Sequence, residues 1–215
     1  MISQSLPVIV IDFETTGISP EHGARATEVA AVLISDGRIV GRYQSLMNAG
    51  VPIPPFIEAL TGITNRMVRE APSAAKVMRE LADFIGEKPL VAHNAAFDKK
   101  FLQAELRLVG QVHQSEMHCS MRLARRIYPD APNHKLATLV RYKQVAKTGA
   151  YHRALADAEM TAGLWLKMQE DLGRQFGLDS IPLELLRKIQ NAPSRELQRC
   201  VDSYRRGCKS SSKQS

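Results

Sequence analysis

An α/β sandwich with a C-terminal helical extension is the fold class this sequence predicts, and three observations predict it. Strand-like runs cluster near the start, a hairpin signal joins two of them, and helical periodicities then alternate with short strands. That order differs from a regular βαβ repeat. The 215 residues are 44% hydrophobic and 24% charged, which suits one domain of ordinary size plus an appendage.

The elements follow from local patterning. Val8-Ile9-Val10-Ile11 is apolar and mostly β-branched, as a buried strand requires. It is expected to end in the carboxylates Asp12 and Glu14 and the turn former Thr15-Thr16-Gly17. Ala26–Ile34 and Arg38–Leu46 read as strands joined by Ser35-Asp36-Gly37, a strong hairpin turn. The stretch 48–55 is rich in Pro and Gly, and Ile57–Leu60 reads as a short helix leading into the turn Thr61–Thr64. Ser73–Ile85 places Val77, Met78, Leu81, Phe84 and Ile85 on one helical face. Pro89–His93 is a short strand, and Phe97–Val109 a helix stopped by Gly110. Met121–Tyr128 and Leu136–Tyr142 read as helices, and Ala154–Leu172 as a long helix closed by Gly173. Beyond it, Ile181–Gln190 and Arg195–Tyr204 form amphipathic helices split by Ala192-Pro193, and Lys209–Ser215 reads as a disordered tail.

Composition excludes several classes. There is no apolar run of the roughly 18 residues a membrane span needs, and Ser3-Gln4-Ser5 leads into the first strand without a signal-peptide pattern. The three cysteines, Cys119, Cys200 and Cys208, read as free thiols of a reducing cytoplasm. The net charge of +7 suggests a polyanionic partner. From Arg195 to Ser215, however, six basic side chains against Glu196 and Asp202 supply +4, leaving a mildly basic remainder. No phosphate-binding glycine loop or dinucleotide fingerprint is present. His113, His118 and Cys119 do not have zinc-site spacing, and Trp165 and Met168 read as core.

Chemistry gathers in three separate segments. Side chains at i and i+2 of a strand share a face, so Asp12 and Glu14 project together from the end of a hydrophobic strand. Like charges there repel and resist desolvation unless a cation joins them, and hard divalent ions take such oxygen ligands. Asp98 follows a strand end in Leu90–Phe97 and sits near the start of a helix, where taken alone it reads first as a cap favoured by the helix dipole. His152 and Asp157 open the long helix. Five helical residues turn through about 500°, so the two converge only if His152 lies on the preceding loop and folds back. Otherwise they are a surface histidine and a first-turn aspartate.

The order and surroundings of these segments resemble one known pattern. Asp12-x-Glu14 in DFETTG, Asp98 in HNAAFD, and His152 and Asp157 in HRALADA are similar to the DEDDh (DnaQ-like) 3′–5′ exonucleases, the family that includes proofreading subunits. Leu60–Thr64 with Ala71-Pro72, and Arg122–Arg125 before His134-Lys135-Leu136, add to the likeness, which runs from Pro7 to Gly173. The resemblance implies a ribonuclease H-like mixed five-stranded sheet flanked by helices. Residues 1–175 would form the exonuclease domain, and 176–215 a helical extension with a basic, disordered tail. It implies hydrolysis of a terminal phosphodiester with two Mg²⁺ or Mn²⁺ ions. Asp12 would bridge them, Glu14 and Asp157 would complete one shell, Asp98 would hold the second ion, and His152 would be the general base. Thr15, Thr16 and Gly17 would meet the terminal 3′-OH; Thr61, Gly62 and Ile63 the terminal base; and His93, Asn94 and Phe97 the next nucleotide. Implied partners are single-stranded nucleic acid 3′ ends and a DNA polymerase subunit, with no membrane, in the cytoplasm. DNA is the leading substrate; an RNA exonuclease of the ribonuclease T or oligoribonuclease type shares the same motifs, and a binding-only module is the third reading.

Overall fold

In the computed structural model, which describes residues 6–211, β1 (Val8–Thr15) is the hub because it is buried on both faces. Its odd and even positions feed different cores. Val8 and Val10 join one hydrophobic cluster with Trp165 and Met168, and Ile9, Ile11 and Phe13 join another with Met78, Leu81 and Phe101. β1 pairs antiparallel with β2 (Ala26–Ser35), which pairs antiparallel with β3 (Arg38–Leu46). On its other side β1 runs parallel to β4 (Leu90–Ala92), and β4 to β5 (Met117–Cys119). The resulting five-stranded mixed sheet has the order β3-β2-β1-β4-β5.

Between β3 and β4 lie α1 (Pro55–Thr61), α2 (Asn65–Glu70) and α3 (Ala74–Ile85). α4 (Ala95–Arg107) precedes β5, and α5 (Ser120–Ile127), α6 (Leu136–Tyr142) and α7 (Ala154–Phe176) follow it. α3 and α4 cover the Ile9/Ile11 face of the sheet; α5 and α7 cover the Val8/Val10 face. α8 (Leu183–Asn191) and α9 (Leu197–Ser211) complete the chain.

Three features differ from the sequence expectations, while the end of β1 agrees with them. β1 ends in its two carboxylates as expected, still paired to β2: Asp12 faces Ala30 and Glu14 faces Glu28 across the ladder. A bulge after Glu14 then closes the strand. α2 forms just after the turn expected at Thr61–Thr64, over residues for which no element was expected, its first turn capped by Thr64, whose hydroxyl accepts from Met67 N. α7 runs past Gly173 to Phe176 and stops at Gly177, the residue with the left-handed φ of 57°. Gly173 is instead a close-approach site, since a Cβ there would lie 3.1 Å from the Leu178 carbonyl oxygen. α9 continues through Lys209 to Ser211, so the tail is helical over part of the stretch expected to be disordered; the rest of that stretch, and Ser3–Ser5, lie outside the described residues.

The C-terminal helices share the main core. Leu185, Leu186, Ile189 and Val201 belong to the cluster that contains Val8, Val10 and Trp165. Gln190 Oε1 accepts from Cys119 N at 2.8 Å, so α8 satisfies an amide on the outer strand β5. Among the described residues no helix is long and apolar enough to cross a membrane.

Because Leu186 is 1% exposed within this shared core, Leu186→Ala should cost about 2–5 kcal/mol in urea denaturation. The loss should appear as one shifted transition; a separate early transition for the extension would contradict a common core.

Candidate active site

β4 is only three residues long, and this shortness opens the site. β1 continues past its end, so the amide of Phe13 finds no strand partner on that side. Asp98, in the first turn of α4, takes it: Phe13 N donates to Asp98 Oδ1 at 3.2 Å. An otherwise unpaired backbone donor therefore fixes Asp98 beside Asp12. Asp98 and Glu14 are buried and Asp12 is half-buried.

His152 lies on the loop before α7, with φ at 62°, a left-handed conformation that few non-glycine residues adopt. Its backbone N–H donates to Asp157 Oδ2 at 2.8 Å, which folds the loop back over the first turn of the helix. Glu14, His152 and Asp157 each present a ligand-type atom, and these atoms lie within 4.8 Å of one another. Asp157 Oδ1 is buried without a hydrogen-bond partner. The five residues singled out from the sequence thus meet at the end of β1.

The electrostatics follow from crowding acids where water is scarce. Burial, then the neighbouring Asp98, Asp157, Glu14 and Glu28, push Asp12 well above the usual carboxylate range. Burial and then Asp157, Glu28 and Asp98 push Glu14 up to about 8, opposed by Arg153. Burial raises Asp98 to about 7 against the hydrogen bonds from its own amide and that of Phe13. Burial raises Asp157 too, opposed chiefly by the His152 amide.

Two further glutamates hold this arrangement. Glu28 is fully buried in β2 and accepts from Arg153 Nη2 at 2.9 Å, Arg153 Nε at 3.2 Å and Ala154 N at 3.0 Å. Glu105 is buried in α4 and accepts from Arg25 Nε and Nη2, both at 2.9 Å, and from Ala26 N at 3.0 Å. The same motif occurs twice: an arginine fork plus the next residue's amide on one buried carboxylate. One ties α7 to β2, the other α4 to β2. The sequence signals were a lone charge inside the apolar run Thr27–Val32, and Glu105 seven residues after Asp98 on the same helical face.

The other nominated residues mostly turn inward. Thr15 Oγ1 donates to Gly17 O at 2.6 Å, and Thr16 Oγ1 accepts from Arg25 N at 3.0 Å. Thr61 Oγ1 donates to Ile57 O and accepts from Ile63 N, around Gly62 with φ at 71°. Ile63 is fully buried with Ile53 and Val68. Both ring nitrogens of His93 are engaged, with Ser120 Oγ and His134 O, each at 2.9 Å. Asn94 is exposed, and Phe97 is half-buried against Phe101. Ile18, missed by the sequence reading, and Leu60, noted there only within the Leu60–Thr64 likeness, are exposed apolar side chains beside these segments in the chain.

Residues 9–165 match the model of the family RNase_T, described as "Exonuclease". The chain is 37% identical over 165 residues to DNA polymerase III PolC-type of Bacillus subtilis (strain 168), covering 76% of this chain and 11% of that protein. It is 34% identical over 197 residues to the 3′-5′ exonuclease DinG of the same organism, covering 91% of this chain and 21% of DinG. The chain therefore spans only a small part of these relatives' length. Among solved structures it is similar to Exonuclease X in complex with 5′ overhanging duplex DNA, with TM-score 0.68 and 28% identity over 86% of this chain and 99% of that one. It also shares its fold with the nuclease domain of 3′hExo, a DEDDh family member bound to rAMP, at TM-score 0.68 and 20% identity over 84% and 98% of the two chains.

The raised carboxyls make a pH prediction. Unfolded, Glu14 ionises near 4.5 and Asp98 near 3.8; folded, they hold their protons to about 8 and about 7. The unfolded state then binds fewer protons, so stability falls as pH rises through that window. The melting temperature of ion-free protein should drop between about pH 5 and about pH 8 relative to Glu14→Gln. The rise on adding Mn²⁺ should be larger at the higher pH; the reverse trends would contradict the assignment.

Proposed function

The chain belongs to the RNase_T family of exonucleases, and we propose that it is of the DEDDh type and hydrolyses the terminal phosphodiester at single-stranded DNA 3′ ends, releasing nucleoside monophosphates. One observation carries the reading: Glu14, His152 and Asp157 present their ligand-type atoms within 4.8 Å of one another, in a site that also holds Asp12 and Asp98.

The donor set fits hard divalent cations, Mg²⁺ or Mn²⁺, two per site. Asp12, Glu14, Asp98 and Asp157 offer carboxylate oxygens, and the buried, unpartnered Asp157 Oδ1 is a group that burial penalises until something satisfies it. Asp12 would be shared between the ions, Glu14 and Asp157 would hold one, and Asp98 the other. When bound, such a pair supplies charge neutralisation for the attacking and leaving oxygens of an in-line displacement.

The chain's own residues do the rest. His152, exposed at the mouth of the site, accepts the proton of the attacking water on a ring nitrogen. Asp157 orients it through the His152 amide. The backbone at Thr15, Thr16 and Gly17 meets the terminal 3′-OH, which restricts attack to a free end. Thr61, Gly62 and Ile63 shape the place of the terminal base, with His93, Asn94 and Phe97 beside the next nucleotide. Stacking on side chains of this kind tolerates every base, because each base has a π-face.

DNA is favoured over RNA because the PolC-type relative is a DNA polymerase and the structure of Exonuclease X holds duplex DNA. A DNA polymerase as working partner has the same support. Residues 1–175 are the exonuclease domain in this reading, with 176–215 as its extension.

With 5′-labelled single-stranded DNA and RNA of one sequence, Mg²⁺ should produce a ladder shortening from the 3′ end, faster on DNA. Asp12→Ala should abolish it, and an undiminished ladder would refute the carboxylate assignment. A faster RNA ladder would select the exoribonuclease reading. His152→Ala should lower turnover by roughly 10²–10⁴-fold while Mn²⁺ affinity survives; wild-type turnover would remove the base role.

A further inference from the structure

We infer that Glu28 and Arg153 form a positioning clamp for His152, setting where the imidazole stands beside Glu14 and Asp157 without touching substrate. The inference rests on His152 serving as the base in the proposed reaction.

α7 begins without a cap of its own. Arg153 occupies the N-cap position in an extended conformation, and no side chain of its own segment accepts from the first turn. Four amide donors at a helix start lack intrahelical partners. Glu28, reaching from β2, accepts one of them, Ala154 N, and places a negative charge at the positive end of the helix. The same carboxylate takes the Arg153 fork and a fourth bond from Gln44 Nε2 at 2.7 Å. A fully buried glutamate is thereby saturated, and both ends of the clamp have one geometry.

His152 is the residue immediately before this anchor, and it carries the left-handed φ. A non-glycine residue stays there only when its surroundings dictate it. Two contacts do so from opposite sides. The His152 amide is held by Asp157, and the next residue is pinned to Glu28. On the upstream side the loop has lighter ties: Thr148 Oγ1 donates to Ala156 O at 3.3 Å, and Lys147 lies over the Tyr151 ring. Releasing Arg153 therefore frees the peptide that aims the imidazole.

The clamp also fixes the reference frame. Glu28 stands opposite Glu14 in the β1–β2 register, so Arg153 is tied to the same strand pair that carries Asp12 and Glu14. Lysine cannot reproduce the fork, because its ammonium is a point charge. The clamp is reached from solvent on its Arg153 side only, where Arg153, Gln44, Met67 and Glu70 line a surface cleft of about 370 Å³ with the buried Glu28 at its floor.

The test uses the full chain, with Arg153→Lys, Arg153→Ala, Glu28→Gln and the neutral pair Glu28→Gln/Arg153→Gln, each checked by circular dichroism. Arg42→Ala, which breaks the exposed Arg42–Glu159 pair between β3 and α7, is the control. On labelled single-stranded DNA, Arg153→Lys and Glu28→Gln should lower kcat roughly 10–100-fold with KM nearly constant. The same changes on a His152→Ala background should add less than about twofold, as coupled residues do. Guanidinium ion should restore part of the Arg153→Ala loss, and Arg42→Ala should leave kcat unchanged.

Parental kcat in Arg153→Lys overturns the clamp, and so does an equal loss on the His152→Ala background. Nuclear magnetic resonance of the His152 imidazole in ion-free protein decides the matter independently of turnover. The folded variants, the neutral pair included, should shift those resonances while Arg42→Ala should not, and unchanged resonances overturn the inference. A parent chain inactive on DNA and RNA would instead refute the proposed function, leaving the resonance test of the clamp intact.

Discussion

Four carboxylates share the end of β1, and the fold has to hold them there against their own repulsion. Burial alone raises the cost of each charge, and proximity raises it again for Asp12 and Glu14. Left to local preferences, α4 and α7 would swing their aspartates toward water. They are prevented by two buried glutamates that bind arginine forks and helix- or strand-starting amides around β2. A buried ion pair of this kind is weak evidence for net stability, because desolvation offsets much of the attraction. Its value lies in direction: each pair permits one orientation of a helix relative to the strand pair.

The asymmetry of the sheet then explains where the site opens. β2 is long and covers one side of β1 along its whole length, with β3 beyond it, whereas β4 covers only the first half of the other side. The exposed half leaves an amide free, and Asp98 becomes the strand's partner there. A β4 longer by two residues would pair that amide and displace the acid. The site thus depends on a strand being short as much as on the acids being present.

The C-terminal helices bear on this indirectly. α8 and α9 add Leu185, Leu186, Ile189 and Val201 to the core beneath α7, on the face that also buries Trp165 and Met168. The extension packs on α5 and β5 and joins the cluster that buries the inner face of α7, and β5 has an amide capped by Gln190 rather than left to solvent. The basic character of the extension sits on its outer side, where Arg206 is exposed.

The sequence by itself determined the order of elements, the hairpin at Asp36-Gly37, the shared face of Asp12 and Glu14, and the condition under which His152 and Asp157 meet. Each is a short-range consequence of strand or helix periodicity, or of turn chemistry. It misplaced the end of α7, because two glycines compete within five residues and only backbone conformation separates Gly177 from Gly173. Glu28, Arg153, Arg25 and Glu105 went unread because their partners lie 80 or 125 residues away in the chain. Those pairings were decided by the tertiary structure alone: a buried charge is tolerated only where packing delivers its counter-charge, and no local pattern records which distant residue that will be.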